Sequence, residues 1–447
     1  MNAMGVRWTS EQVLALAPDD ASRRAGSRLG TAGPWSGRGS GDGAVWGLCK
    51  GSGRVPYRTV VDTTGPAYLC ECPSRKLPCK HALGLLLLHA SDGSEAGGTD
   101  APDWAGRWLA ARRAPGGGAD RQAGGGGAGP ADPEAARRRA ERRAARITSG
   151  AEELEQRLAD LLRGGLAAAE QRGYGLWEET AARMVDAQAP GLAGRVRELG
   201  AIPGSGPGWP VRLLEECALT HLLGRAWLSA DRLPGPLATT VRTRVGLTAP
   251  VDGAPVRDHW LVLAQYDAAD ARLTTRRIWL YGAGSGRTAL LLSFGAAGRA
   301  PRLALPVGAV LDGELTPHAG AGQLRAEPGE EFAPVEVPAV PPPGGPVGAA
   351  LDSYGRALRE DPWLDSWPVT LSGVVPARAG YGWQLADADG REALPLTASA
   401  QSRPGLWRLV ALSGGAPVTV FGECGHRGFT PLAAWSPETQ GETVPLI

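Results

Sequence analysis

The sequence predicts an α+β multidomain protein with three parts: a small ββα module near the N-terminus, a helical middle region and a β-rich C-terminal region. Three observations lead there. At 447 residues the chain is too long for one ordinary domain. Its apolar pattern changes from strand-like to helical spacing and back again. Glycine- and alanine-rich stretches separate the first change from the second. The implied boundaries are 1–90 for the N-terminal region (core about 44–90), 91–133 for linkers with a short helix, 134–235 for the helical region and 236–447 for the β-rich region.

In the first part, Ser10 to Arg28 reads as a polar helix with Ser10 as its N-cap, followed by a Gly-rich stretch from Gly33 to Gly43. Strand-like runs follow at Ala44–Cys49, Val55–Asp62 and Ala67–Cys72, divided by turn chemistry at Gly51-Ser52-Gly53 and Thr64-Gly65-Pro66. A short apolar helix from Cys79 to Ala90 closes the unit. Ser91–Asp103 and Pro115–Pro133 are too poor in apolar residues to build a core and read as tethers. Between them Trp104, Trp108 and Leu109 have the spacing of a docking helix.

Leu154, Leu158, Leu161, Leu162 and Leu166 mark an amphipathic helix; Trp177, Ala181, Met184 and Val185 mark a second, and Leu213–Leu228 a third. The six arginines between Ala135 and Arg146, with Glu134 and Glu141 among them, fit a solvated helix face with internal ion pairs. Strands are expected at Val241–Leu247, Trp260–Tyr266, Arg276–Tyr281 and Ala289–Phe294. A Pro-rich, strand-poor stretch spans Ala333 to Gly348. Further strands are expected at Pro368–Val375, Gly382–Ala386, Leu406–Leu412 and Pro417–Gly422.

The formal net charge is only +1, so no global positive field draws the chain onto nucleic acid. Lys50, Lys76 and Lys80 are the only lysines, and all fall in or beside the N-terminal module. The longest apolar run, Ala82 to Leu88, is far short of the roughly 20 residues a membrane span needs. No signal-peptide pattern opens the sequence. The expectation is a soluble, cytoplasmic protein without a membrane partner.

Six cysteines are too few for a disulfide framework, and three of them cluster at metal-ligand spacing. Cys70 and Cys72, two apart in a strand-like run, point to one side. Pro73 ends that strand. Six residues separate this pair from Cys79 and His81, with Cys79 at the helix entry and His81 on the first turn. Three thiolates and one imidazole fill a tetrahedral Zn²⁺ shell with no open position, as one structural zinc requires. Lys80 would offset the single negative charge left over.

The Cys-x-Cys, six-residue, Cys-x-His pattern, with strands before it and a helix after, resembles the SWIM-type zinc finger. Gly51-Ser52-Gly53, Pro56-Tyr57, and Cys70-Glu71-Cys72-Pro73-Ser74-Arg75-Lys76 leading to Pro78-Cys79-Lys80-His81 are similar to its bacterial members. Weaker similarity continues through Leu154–Gly165 and Ala181–Ala189. The resemblance implies a ββα zinc fold that binds DNA or protein, and no defined reaction.

Other chemistry-bearing residues have plainer readings. Cys49 reads as a buried strand residue and His89 as an edge-of-core histidine. Cys424-Gly425-His426 reads as loop chemistry after a strand, and Cys217 with His221 as part of an apolar helix. Gly282-Ala283-Gly284-Ser285-Gly286 follows a strand but precedes another strand, so it reads as a hairpin loop and not a phosphate cradle. Most of the fifteen tryptophans lie in apolar periodic runs, as core anchors do. The expected function is non-catalytic recognition of a DNA or protein partner, with Lys50, Arg54, Arg58, Arg75, Lys76 and Lys80 presented around the finger. The alternatives are a protein scaffold acting without nucleic acid, and an enzyme whose site in the C-terminal region carries no motif.

Overall fold

The computed structural model describes residues 9–17, 20–41, 43–50, 55–63, 67–72, 74, 78–91, 100–113, 133–247, 251, 253–269, 273–296, 301, 303–319, 324–380, 382–438 and 441–447. Most of both expected tethers (92–99 and 114–132) and the turns at 51–54 and 64–66 lie outside them.

Two helices open the N-terminal module where one was expected: α1 (Ser10–Ala15) and α2 (Asp20–Leu29). The cap of α1 is Thr9, not Ser10; its hydroxyl accepts from the Gln12 backbone N–H while the Gln12 side chain returns to the Thr9 N–H. The Gly-rich stretch forms a strand, β1 (Trp35–Gly41), which pairs with β2 (Ala44–Cys49). Strands β3 (Tyr57–Asp62) and β4 (Ala67–Cys70) complete a four-stranded antiparallel sheet in the order β1-β2-β3-β4. The ββα unit of β3, β4 and α3 (Lys80–Ser91) therefore sits inside a larger module. Alternating residues serve the two faces of its sheet. Val45, Val61 and Tyr68 pack towards α3, whereas Ala44, Trp46 and Val60 pack on α4 (Asp103–Arg113) through Ala105 and Leu109. That helix is the docking helix expected from Trp104, Trp108 and Leu109.

All residues of α3 from His81 to Leu88 are buried, so it has no polar face. Its apolar sequence, Leu-Gly-Leu-Leu-Leu-Leu, reflects a central position. Glycines allow α2 to approach closely: a Cβ on Gly84 would stand 2.5 Å from Leu29 Cβ, and one on Gly26 2.7 Å from Leu83 Cβ.

The helical region comprises α5 (Pro133–Gly164), α6 (Ala167–Asp186), α7 (Pro190–Ala201), α8 (Trp209–Leu228) and α9 (Gly235–Arg244). Its core holds Leu154, Leu158, Trp177, Met184, Leu213 and Trp227. Leu162 and Val185, expected on apolar faces, are instead exposed. Val241–Leu247 is not a strand. Pro236 lies in the first turn of α9, and Val241 and Val245, four apart, enter the bundle core. Tertiary packing here outweighs the β preference of the Thr- and Val-rich sequence. The arginine-rich start of α5 does carry i,i+4 pairs, Arg137–Glu141 and Arg138–Glu134.

A five-stranded antiparallel sheet follows, with β5 (Val256–Ala269), β6 (Leu273–Gly282), β7 (Thr288–Ala296), β8 (Val310–Pro317) and β9 (Ala326–Pro334) in the order β7-β6-β5-β8-β9. The sequence reading lacks β8 and β9. Helix α10 (Val347–Glu360) begins in the stretch read as Pro-rich and strand-poor. The last sheet runs β12-β11-β10-β13-β14-β15, from β10 (Ser366–Ala379), β11 (Gly382–Asp387), β12 (Ala393–Pro395), β13 (Val418–Gly425), β14 (Gly428–Trp435) and β15 (Val444–Pro445). Two helices, α11 (Ala398–Gln401) and α12 (Gly405–Ser413), stand between β12 and β13. The Leu406–Leu412 run is thus helical; Leu406 and Leu409 face the core, while Trp407, 62 % exposed, obscures the period.

Both faces of the five-stranded sheet are covered, which explains the unbroken apolar run from Trp260 to Ala264. Leu261, Leu263 and Trp279 pack against Phe421, Ala433 and Trp435 of the last sheet. Trp260, Val262, Ile278 and Leu280 share one core with Val13, Tyr68, Leu83, Leu85 and Leu86 of the N-terminal module. Trp363, between α10 and β10, enters the helical core and donates its indole N–H to the Leu219 carbonyl at 2.9 Å.

Candidate metal centre

The end of β4 and the start of α3 bring together Cys70, Cys72, Cys79 and His81, whose ligand atoms all lie within 4.8 Å of one another. Cys70 is the last residue of β4, held by pairing with Thr59 of β3, and Cys72 follows in the turn. Cys79 caps α3: its sulfur accepts from the Ala82 N–H at 3.5 Å and its carbonyl from the Leu83 N–H at 3.0 Å. His81, on the first turn, directs Nδ1 to 3.7 Å from Cys70 Sγ. Metal–sulfur bonds of about 2.3 Å and metal–nitrogen bonds of about 2.0 Å imply sulfur–nitrogen edges of roughly 3.5 Å in a tetrahedron. The donor set and its spacing therefore fit a divalent, thiophilic ion.

Electrostatics point the same way. The Cys72 thiol is driven far down, first by its hydrogen bond with Cys70 and then by Cys79. Conversely, Cys70 is raised mainly through its bond with Cys72, and Cys79 mainly through Cys70. Without a cation the three sulfurs compete for one negative charge; a bound divalent ion lets all three ionise.

The surroundings fix this geometry. Tyr57 lays its ring 5.1 Å from that of His81, and Thr59 Oγ1 lies 3.2 Å from Cys70 Sγ. The sequence reading missed Thr59; its only signal is the cross-strand register opposite Cys70. Cys79 and His81 are 1 % and 4 % exposed, so the helix side of the site is closed off by the core.

Of the proposed partner-binding residues, Lys50, Arg58 and Lys80 are exposed, while Arg54, Arg75 and Lys76 lie outside the described residues. Arg58 has Glu71 beside it at 3.7 Å. Lys50 follows β2, Arg58 stands opposite Leu48, and Lys80 opens α3, so the three share the end of the module that holds the Cys/His cluster. Asp62, at the other end of β3, is buried.

The remaining candidates are not part of the ligand cluster. Cys49 is fully buried, and burial first, then Cys70, pushes its thiol up to about 11. His89 sits half-buried near the end of α3. Cys424 is buried within β13 itself, not in a loop, and only His426 belongs to the following turn. Cys217 is buried in the bundle, whereas His221 turns outward to Glu155 at 2.6 Å, so the two form no nucleophile–base pair. Gly282–Gly286 forms the β6–β7 hairpin loop, and its N–H groups are already engaged: Asp258 accepts from Gly284 at 2.9 Å and Ser285 at 2.7 Å. Burial alone would raise the Asp258 carboxyl, but Ser285 and these backbone donors hold it below the usual range. Such a group stabilises the fold above its unfolded pKa of about 3.9 and loses that effect as pH falls through its lower folded value. Asp258→Asn is expected to cost about 1 kcal/mol at pH 7. Urea titrations at pH 7 and pH 3 check it, the gap from wild type closing at the lower pH.

No helix among the described residues is long and apolar enough to cross a membrane. Residues 142–245, from within α5 through α9, match the family described as the SWIM-associated four-helix bundle domain. No curated protein and no solved structure matches the chain. The bundle domain and the Cys/His cluster ahead of it together fit a SWIM-type zinc finger protein.

Proposed function

We propose that this chain is a non-catalytic recognition protein in which one zinc ion, held by Cys70, Cys72, Cys79 and His81, sets the shape of a partner-binding surface. The observation that carries the reading is the complete four-ligand cluster, closed on one side by a buried helix. Four protein donors leave no coordination position for substrate or activated water, which favours a structural over a catalytic ion. Lys50, Arg58 and Lys80 at the same end supply positive charge where the ion holds the backbone rigid.

Two partner classes agree with this arrangement. A nucleic acid would place phosphates on the three basic side chains; a protein would use the same end with little dependence on salt. The formal net charge of +1 favours protein. Retention on immobilised double-stranded DNA, measured from 50 to 300 mM salt, separates the two. If phosphates are bound, each of Lys50→Gln, Arg58→Gln and Lys80→Gln reduces the slope of log affinity against log salt by about 1. An absence of retention even at the lowest salt rejects the nucleic-acid reading, and pull-down with the intact protein then identifies the protein partner.

A further inference from the structure

Where the helical region meets the C-terminal sheets, the chain forms a half-open cavity of about 510 Å³. That is within the roughly 300–1,000 Å³ range of small-molecule sites, which favour such junctions. One wall comes from the five-stranded sheet and the chain leading into β9: Arg277, Trp279, Leu290, Leu292, Leu324 and Arg325. The other comes from α7, α9, α10 and the start of β10.

Two neighbouring guanidinium groups are held by acceptors on the protein itself. Arg276, adjacent to Arg277, donates to both oxygens of Asp267 and to the carbonyls of Pro301 and Leu303. Arg244, also at the cavity, is closed onto Asp361 by three hydrogen bonds. Arg277 and Arg325 differ. Each guanidinium carries five donors. Arg277 has Glu423 at 3.6 Å, but Glu423 Oε1 already accepts from the Tyr266 hydroxyl and the Trp279 indole. Arg325 makes a 3.1 Å bond to Glu327 Oε1, which also lies 2.9 Å from His318 Nε2. Among the described residues neither Nε has an acceptor although both are shielded from water, while about a third of each side chain stays exposed (34 % and 35 %). Across the cavity, Arg195 donates to the Trp363 carbonyl at 3.4 Å.

Carboxylates also line the cavity, but on the other wall: Asp361 is taken by Arg244, and Glu198, Glu360 and Asp365 are exposed. The sheet wall thus presents two guanidinium groups with spare donors, each beside one carboxylate, next to an apolar surface. That combination suits a ligand with an anionic end and a hydrocarbon body.

We propose that this cavity binds a small organic oxyanion, a carboxylate or a phosphate on a ring-sized apolar body, with the anion on Arg277 and Arg325 and the body against Leu290, Leu292 and Leu324. The full-length protein would be titrated calorimetrically with benzoate, phenyl phosphate and neutral benzyl alcohol. Saturable binding of at least one anion is expected, at least tenfold tighter than that of the alcohol, and the better probe names the oxyanion. The double variant Arg277→Gln/Arg325→Gln, shown to be folded by its thermal transition, should lose at least tenfold in affinity. Arg287→Gln, on the exposed β6–β7 loop, should bind as wild type. No saturable binding of either anion up to about 10 mM, or unchanged affinity in the folded double variant, overturns the proposal.

Discussion

Cys79→Ser is expected to abolish stoichiometric metal binding and to destabilise the chain by at least about 3 kcal/mol, because the free energy of binding a structural ion is folding free energy. The substitution removes one of four ligands and also the sulfur that caps α3 through the Ala82 N–H. Read as sequence, the damage should stop at the module boundary, with residues 44–90 unfolding alone. The shared core changes that expectation. Leu83, Leu85 and Leu86 of α3 lie in one cluster with Trp260, Val262, Ile278 and Leu280. Loss of the finger therefore uncovers one face of the five-stranded sheet. Hydrogen exchange should show lost protection over residues 44–91 together with weakened protection in β5 and β6. Wild-type protection in all these segments would count against a structural ion, as would purified wild-type protein without bound zinc.

Trp260→Ala should cost about 4 kcal/mol, near the middle of the range for removing a large aromatic side chain from a core. Trp260 is 1 % exposed, and its indole donates to the Gly313 carbonyl at 3.1 Å, binding β5 to β8 across the sheet. Truncation opens a void beneath α3 and leaves that carbonyl without its side-chain donor. Because the metal-bearing helix rests on the same core, affinity for the ion should also fall. Urea unfolding measures the first effect and competition with a chromophoric chelator the second. A stability loss below about 1 kcal/mol would show that finger and sheet do not share a core.

The clustering of Cys70, Cys72, Cys79 and His81 is legible in the sequence because its determinants are local. Four ligands within twelve residues, a proline after the first pair and a helix after the second leave few arrangements. The hairpins were legible for the same reason: Ala44–Cys49 is the observed β2, and the runs around it differ only at their ends. Val241–Leu247 and Leu406–Leu412 misled because β-branched or apolar runs seven residues long carry both periods until the tertiary partner is known. Helix α10 does leave a trace in the sequence: Val347, Ala350, Tyr354 and Ala357 fall at helical spacing on the buried side. Neither the common core of residues 13–88 and 260–332 nor the cavity could be read locally. Each joins side chains far apart in the chain, and Arg195, Arg277 and Arg325 have no mutual spacing to notice.

The central position of α3 has a consequence for biosynthesis. The helix is complete once residue 91 has been made, yet the sheet that covers part of its leucine surface begins at residue 256. At about 5–20 residues per second, a ribosome needs roughly 10–30 seconds to supply those intervening residues. For that interval the nascent finger, metal-bound or not, lacks its cover and is a target for chaperones. Chains truncated before β5 should accordingly be recovered as aggregates or chaperone complexes, even when all four metal ligands are present.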